Sequence, residues 1–110
     1  MMAWLLLVLA GLMEVAWAIG LKYTDGFRRI TVTIPTLLAI LLSMYLLAVA
    51  ARTIPIGTAY PIWTGIGAVG TALMGMYVLG ESRDPLRFVC IGLIVAGIAG
   101  LKFFGERGDL

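Results

Sequence analysis

Polar residues in this chain are gathered into a few short clusters, and the stretches between them are strongly apolar. Ile30 to Ala51 runs 22 residues without a charge, and Thr53 to Gly80 runs 28. Ala3 to Leu21 is apolar apart from Glu14. Leu86 to Phe104 is apolar apart from Arg87 and Lys102 near its ends, where long basic side chains extend their heads to an interface. A helix crossing a ~30 Å hydrocarbon layer needs about 20 mainly apolar residues. The pattern therefore predicts four transmembrane helices, over about 3–21, 33–51, 58–80 and 86–104, in one all-α domain covering residues 1–110. No run alternates with a period of two, so a closed barrel, the other way to satisfy a backbone in lipid, is not predicted. The links are short and rich in stop signals: Thr24-Asp25-Gly26 before Arg28-Arg29, Arg52 to Gly57, and Gly80 to Pro85, where the proline suits a first helical position. None is long enough to hold a soluble domain, so the function is expected within the membrane.

Composition narrows the classes further. Of 110 residues, 62% are apolar and 13% charged, against about 45–50% and about 25% in an ordinary soluble domain. A water-soluble enzyme and a disordered chain are both excluded by this balance. The absence of histidine excludes imidazole acid–base chemistry and histidine metal sites, and the single Cys90 permits no intrachain disulfide. No enzymatic activity, metal or organic cofactor is expected. A net charge of +2 is too small for a nucleic-acid binder. Ala16-Trp17-Ala18 imitates a signal-peptide cleavage site, but no basic residue precedes the apolar stretch and a carboxylate interrupts it, so the first helix is expected to be retained.

Charge gives little instruction about orientation. With four spans, Arg52, Lys102 and Arg107 fall on one side, and Lys22, Arg28, Arg29, Arg83 and Arg87 on the other. Such a small excess is a weak topological signal, compatible with one orientation or with insertion both ways. Many transporters bind substrate between two repeats of opposite topology, and no convincing repeat relates the two halves of this chain. Two copies inserted in opposite directions would supply the missing inverted partner.

Glu14 is the residue that the membrane reading makes conspicuous. It lies 11 residues after the first span begins, about 16 Å along the helix and so near the bilayer midplane. A charge there costs roughly 3 kcal/mol or more, which makes an intramembrane carboxyl a functional candidate ahead of a protonated, hydrogen-bonded helix glue. An apolar environment opposes ionisation unless a cation stands nearby. Such a group is suited to hold a proton and a cation in turn.

Helical spacing supplies its neighbours. Trp17 follows Glu14 at i+3, and Tyr60, Trp63 and Gly67 share one face of the third span. Ser43 lies mid-way along the second. A carboxylate, two indoles, a phenol and a hydroxyl would form a cation cage, although aromatic stripes are also read as packing or as an interfacial belt. Gly65, Gly67, Gly70 and Gly75 make the third span thin and bendable. Gly92, Ala96, Gly97, Ala99 and Gly100 form a small-residue surface on the fourth.

Over essentially its whole length the chain resembles the small multidrug resistance family. The resemblance is carried by Gly11-Leu12-Met13-Glu14-Val15-Ala16-Trp17, Leu21 to Phe27, Ile54-Pro55-Ile56-Gly57-Thr58-Ala59-Tyr60, Ile62-Trp63-Thr64-Gly65-Ile66-Gly67 and Gly80-Glu81-Ser82. Trp17 after the glutamate, with Trp63-Thr64-Gly65-Ile66-Gly67, is similar to the guanidinium exporter subtype. The quaternary-ammonium subtype tends to carry a small residue at the place of Trp17.

The resemblance implies an antiparallel, dual-topology homodimer in the bacterial inner membrane that exchanges protons for an exported cation, with a proton gradient as its energy source. It implies that Glu14 of both subunits binds substrate and protons competitively and that Trp17, Ser43, Tyr60 and Trp63 line the pocket. It also implies that Gly65 and Gly67 flex the third helix and that the fourth helix, with Gly97, holds the dimer. The chain departs from the family pattern at Pro61, where alanine is usual, and at Cys90, where the dimer motif has glycine.

Guanidinium is planar, weakly hydrated and rich in N–H donors. It matches a carboxylate with two parallel hydrogen bonds and stacks on indoles. The expected function is proton-coupled export of guanidinium or small guanidinyl cations. The alternatives are a quaternary-ammonium exporter of the same family, a non-transporting proteolipid subunit, and half of an obligate heterodimer.

Overall fold

The computed structural model describes residues 2–105 of the chain; Arg107, counted in the charge balance above, lies outside them. Four helices follow one another: α1 Met2–Tyr23, α2 Ile30–Ala50, α3 Ile56–Tyr77 and α4 Pro85–Gly105. At 1.5 Å per residue each is about 32 Å long, matched to a hydrocarbon layer of ~30 Å.

By length and composition α1, α2 and α4 are apolar enough to cross a membrane. The third helix is as long and carries no charge, but Gly57, Gly65, Gly67, Gly70 and Gly75, with Thr58, Thr64 and Thr71, dilute its apolar character. It is also the helix packed most deeply, burying Ala59, Ile62, Trp63, Gly65, Gly67, Gly75 and Met76. A helix enclosed by others has less need of side chains that dissolve in lipid, and small residues let its neighbours approach.

The predicted boundaries shift at two places. Helix α2 starts at Ile30 rather than residue 33, because Val32 and Thr33 donate to the Arg29 carbonyl at 3.1 and 2.8 Å and close a turn ahead of Pro35. Proline is tolerated so near a helix start, and Thr36 donates its hydroxyl to Val32 O at 2.8 Å beside it. Helix α3 ends at Tyr77 rather than residue 80. The N–H groups of Val78 and Leu79 both fold back on Met74 O, and Gly80 takes φ +74°, which suits glycine and stops the helix. Pro61 lies inside α3 without interrupting it. Pro85 opens α4 as expected, behind Asp84, whose carboxylate accepts the Leu86 N–H at 2.8 Å.

Helix α1 packs on both α2 and α3, while α4 packs chiefly on α3. The buried apolar cluster joins Leu7 and Ala10 of α1, Leu47 and Ala50 of α2, Ile54 of the link, and Ala59, Ile62 and Trp63 of α3. On α1 the buried positions Leu7, Ala10 and Gly11 recur at i, i+3 and i+4, and the next member of that stripe is Glu14. The outer surfaces are clothed in exposed Leu5, Leu12, Leu38, Leu41 and Leu93, the expected finish for a bundle whose solvent is lipid. No residue in the membrane-length window of α4 is buried.

Candidate functional site

The site is assembled where α1, α2 and α3 meet at the level of Glu14. The seam between α1 and α3 is a set of notches. A Cβ added at Gly11 of α1 would stand 2.6 Å from Ile66 Cγ2, and one added at Gly70 would overlap Val15. Between these two contacts, a Cβ at Gly67 would overlap the Glu14 carboxylate. The missing side chain at Gly67 is therefore the space that the acid occupies. Gly65, two residues earlier, turns toward the other neighbour, where its Cβ would lie 2.9 Å from Ile98 of α4. The helix is continuous through both glycines.

Within this notch Glu14 Oε1 is buried without a hydrogen-bond partner among the described residues. One turn along the same helix, Trp17 Nε1 is likewise buried and unpartnered. An acceptor and a donor thus stand about one helical turn apart on one face of α1. Buried polar atoms are normally satisfied, and leaving one unpaired costs about 1–3 kcal/mol. An orphaned carboxylate oxygen suits a proton or an N–H-bearing cation, either of which satisfies it.

Ser43 and Trp63 are placed differently. Ser43 is fully buried; its hydroxyl donates to Ala10 O at 2.8 Å and accepts the Trp63 indole N–H at 3.0 Å. Ala10 is four residues before Glu14, so in α-helical geometry the same carbonyl receives the Glu14 backbone N–H. One hydroxyl thereby ties α2, α3 and the turn of α1 that bears the acid. The polar handles expected to face a substrate are spent on each other, and the Trp63 ring is held in a fixed orientation. Tyr60, 53% exposed, stacks obliquely on that ring, with centroids 5.6 Å apart and planes at 47°.

The structure thus brings Glu14 to Gly67, packs Trp17 against the buried cluster one turn along α1, and joins Ser43 to Trp63 and Trp63 to Tyr60. Gly97 stands apart on α4, exposed, with open space where a Cβ would point. Two contributors went unassigned in the sequence. The Ala10 carbonyl leaves no trace in residue type. Thr71 Oγ1, buried and unpartnered, had a signal: a hydroxyl one turn beyond Gly67 in an otherwise apolar span. Among the described residues no group of His, Cys, Asp and Glu is arranged to hold a metal ion.

Residues 2–94 match the profile of the Small Multidrug Resistance protein family. The chain is similar to proteins named guanidinium exporter in several bacteria. It is 59% identical over 101 residues to that of Salmonella typhimurium strain LT2, covering 92% of this chain and 96% of the relative. The Citrobacter freundii protein is 58% identical over the same shares. The Yersinia pseudotuberculosis protein is 59% identical, with 92% and 97% covered.

Proposed function

The chain belongs to the small multidrug resistance family, and from that premise we propose that it is a proton-coupled antiporter exporting guanidinium or small guanidinyl cations as an antiparallel homodimer. It is a multi-pass membrane transporter and not an enzyme. The observation that carries the proposal is the Glu14 carboxylate, seated in the Gly67 notch with an oxygen that nothing among the described residues satisfies.

The chemistry follows from that seat. A proton neutralises the carboxyl. A guanidinium ion instead offers two parallel N–H donors and a flat face, with the Trp17 indole one turn away. The two occupants compete for the same oxygens, so each turnover exchanges one for the other. An empty, ionised site stays where water reaches it, since carrying an unpaired charge through a dry interior is prohibitive. In the antiparallel dimer the second Glu14 makes loss of both protons harder than loss of one, and the unburied face of α4 is the surface available for pairing. The bulk of Trp17 favours small planar cations over large quaternary ammonium ions.

Reconstituted vesicles provide the test. Guanidinium uptake is expected to follow an imposed pH gradient, to exceed tetraalkylammonium uptake, and to vanish together with guanidinium binding in Glu14→Gln. Gradient-driven guanidinium movement by that variant would end the mechanism, and a preference for tetraalkylammonium would assign the chain to the other branch of the family.

A further inference from the structure

A second carboxylate stands at the outer end of the α1–α3 seam. Between the two helices lies a cavity of about 360 Å³. Its inner wall includes Ala18, one turn beyond Glu14 on α1, and Ala68, which follows Gly67 on α3. The unpartnered Thr71 hydroxyl lies along it, and Lys22, Glu81 and Arg87 stand at the mouth. Glu81 and Thr71 thus supply polar groups along the cavity, whose Ala18 and Ala68 walls lie next along their helices to Glu14 and its Gly67 seat.

The fold sets Glu81 there deliberately close to α3. Its N–H donates to Gly75 O at 2.9 Å, and the absent side chain of Gly75 leaves room for its carboxylate. Helices α1 and α3 run in the same direction, residues 11, 14 and 15 meeting 66, 67 and 70 in step, so both C-terminal ends, whose dipoles favour cations, flank this mouth. The carboxylate already faces a guanidinium, that of Arg87, but the engagement is loose. Arg87 Nη2 is 3.6 Å from Glu81 Oε1, while Nη1 donates to Ser82 O at 2.9 Å. A well-made guanidinium–carboxylate bond is about 2.7–2.9 Å and commonly two-pronged. Arg87 is anchored on a backbone carbonyl, and Glu81, 47% exposed, retains most of its accepting capacity.

We propose that Glu81 is an outer docking carboxylate for the guanidinium cation, which displaces the loosely held Arg87 at the mouth and then moves along the α1–α3 cavity to Glu14. The inference rests on the guanidinium reading given above. Lys22 and Arg87 make the mouth a poor resting place for a cation, so Glu81 is a transit point and not a store. In the antiparallel dimer one such mouth faces each side of the membrane, giving the same docking step to loading and to release.

The full chain reconstituted in vesicles, with guanidinium as the probe, tests this. Glu81→Gln is expected to raise KM for guanidinium about tenfold with kcat changed less than about twofold, the signature of slower loading at a site that reorients faster than it releases its cation, so that KM exceeds the equilibrium constant. Equilibrium guanidinium binding by the solubilised protein, which reports on Glu14, stays within about twofold of the parent. Arg87→Gln removes the resident competitor and lowers KM about threefold, while Glu81→Asp restores most of the lost apparent affinity. A purely structural ion pair predicts the reverse: Glu81→Gln and Arg87→Gln move KM in the same direction and lower the melting temperature together. That result, or an unchanged KM in Glu81→Gln, overturns the proposal and leaves the Glu14 mechanism standing. Failure of the parent chain to move guanidinium at all brings down both.

Discussion

The α1–α3 seam and the outer face of α4 are both rich in glycine, yet the glycines do opposite things. In the seam each one receives a neighbour: Ile66 lies against Gly11, Glu14 against Gly67, Val15 against Gly70. On α4, a Cβ at Gly92, Gly97 or Gly100 would meet nothing within 4 Å. Lipid tails give helices no hydrophobic reason to associate, so close packing and hydrogen bonds decide which faces meet. The seam has spent its small residues inside the protomer, and one of them creates the space for a carboxylate. The α4 surface has spent none, which supports reading it as the face that meets a second copy.

The largest effect is expected where the two regions differ most. Gly67→Ala forces a methyl group into the Glu14 carboxylate, and overpacking of this kind costs about 1–3 kcal/mol; borne by the seated acid, this is about a fivefold to 150-fold loss of guanidinium affinity. Calorimetric or fluorescence titration of the solubilised protein measures it, and parent-like affinity would show that the notch does not seat the acid. Next in size is pH. The proton and the cation claim the same oxygens, so guanidinium affinity falls as pH falls. The slope approaches about tenfold per pH unit while one proton competes, and affinity levels off once the acid is ionised without the cation. A flat profile would separate the seam from proton coupling.

Ser43→Ala is expected to act through position. It leaves the Trp63 N–H unsatisfied and unties α2 from the Ala10 carbonyl, at a cost of about 1–3 kcal/mol. Most of this appears as lowered stability, with guanidinium affinity down about fivefold from loosening of the turn that carries Glu14. Ser43→Thr, which keeps the hydroxyl, recovers part of the affinity. Equal affinity in the parent and Ser43→Ala would show that the hydroxyl serves packing alone.

These variants also mark how far the sequence could be read. Charge-free runs of more than 20 residues leave little freedom in lipid, and four helices emerge where they were expected. Helix ends depend on local hydrogen bonds that hydropathy does not register, so the Arg29 carbonyl moved one boundary and Gly80 another. Glu14 was legible because a midspan acid is costly, and Trp17 because i+3 places it on the same face. The bond between Ser43 and Trp63 was not, since it depends on the rotational register of α2 against α3, which periodicity within each helix leaves open. Gly67 was noticed for flexibility and thinness, while the contact it makes, a seat for the acid, depends on the register of α1 against α3. Glu81 looked like part of a polar turn until Gly75 and the cavity gave it a position.

The smallest effects give the sharpest comparison, because their signs are opposed. At Gly57, near the start of α3, and at Gly97, on α4, an added Cβ meets no atom of the described residues within 4 Å. For a protomer alone, both Gly→Ala changes are alike: each removes unfolded-state freedom and favours the helix by about 0.5–1 kcal/mol. Gly57→Ala is therefore expected to raise the melting temperature slightly and leave transport unchanged. If α4 is the pairing face, Gly97→Ala places the same methyl group between two close helices. The cost of about 1–3 kcal/mol then exceeds the helix gain, and the dimer loosens a few-fold. Dissociation followed by fluorescence transfer between labelled protomers on dilution in detergent reads the difference directly. Two glycines equally open within the protomer can respond oppositely only through a second chain. If Gly97→Ala instead matches Gly57→Ala in sign and size, the dimer is held by another face.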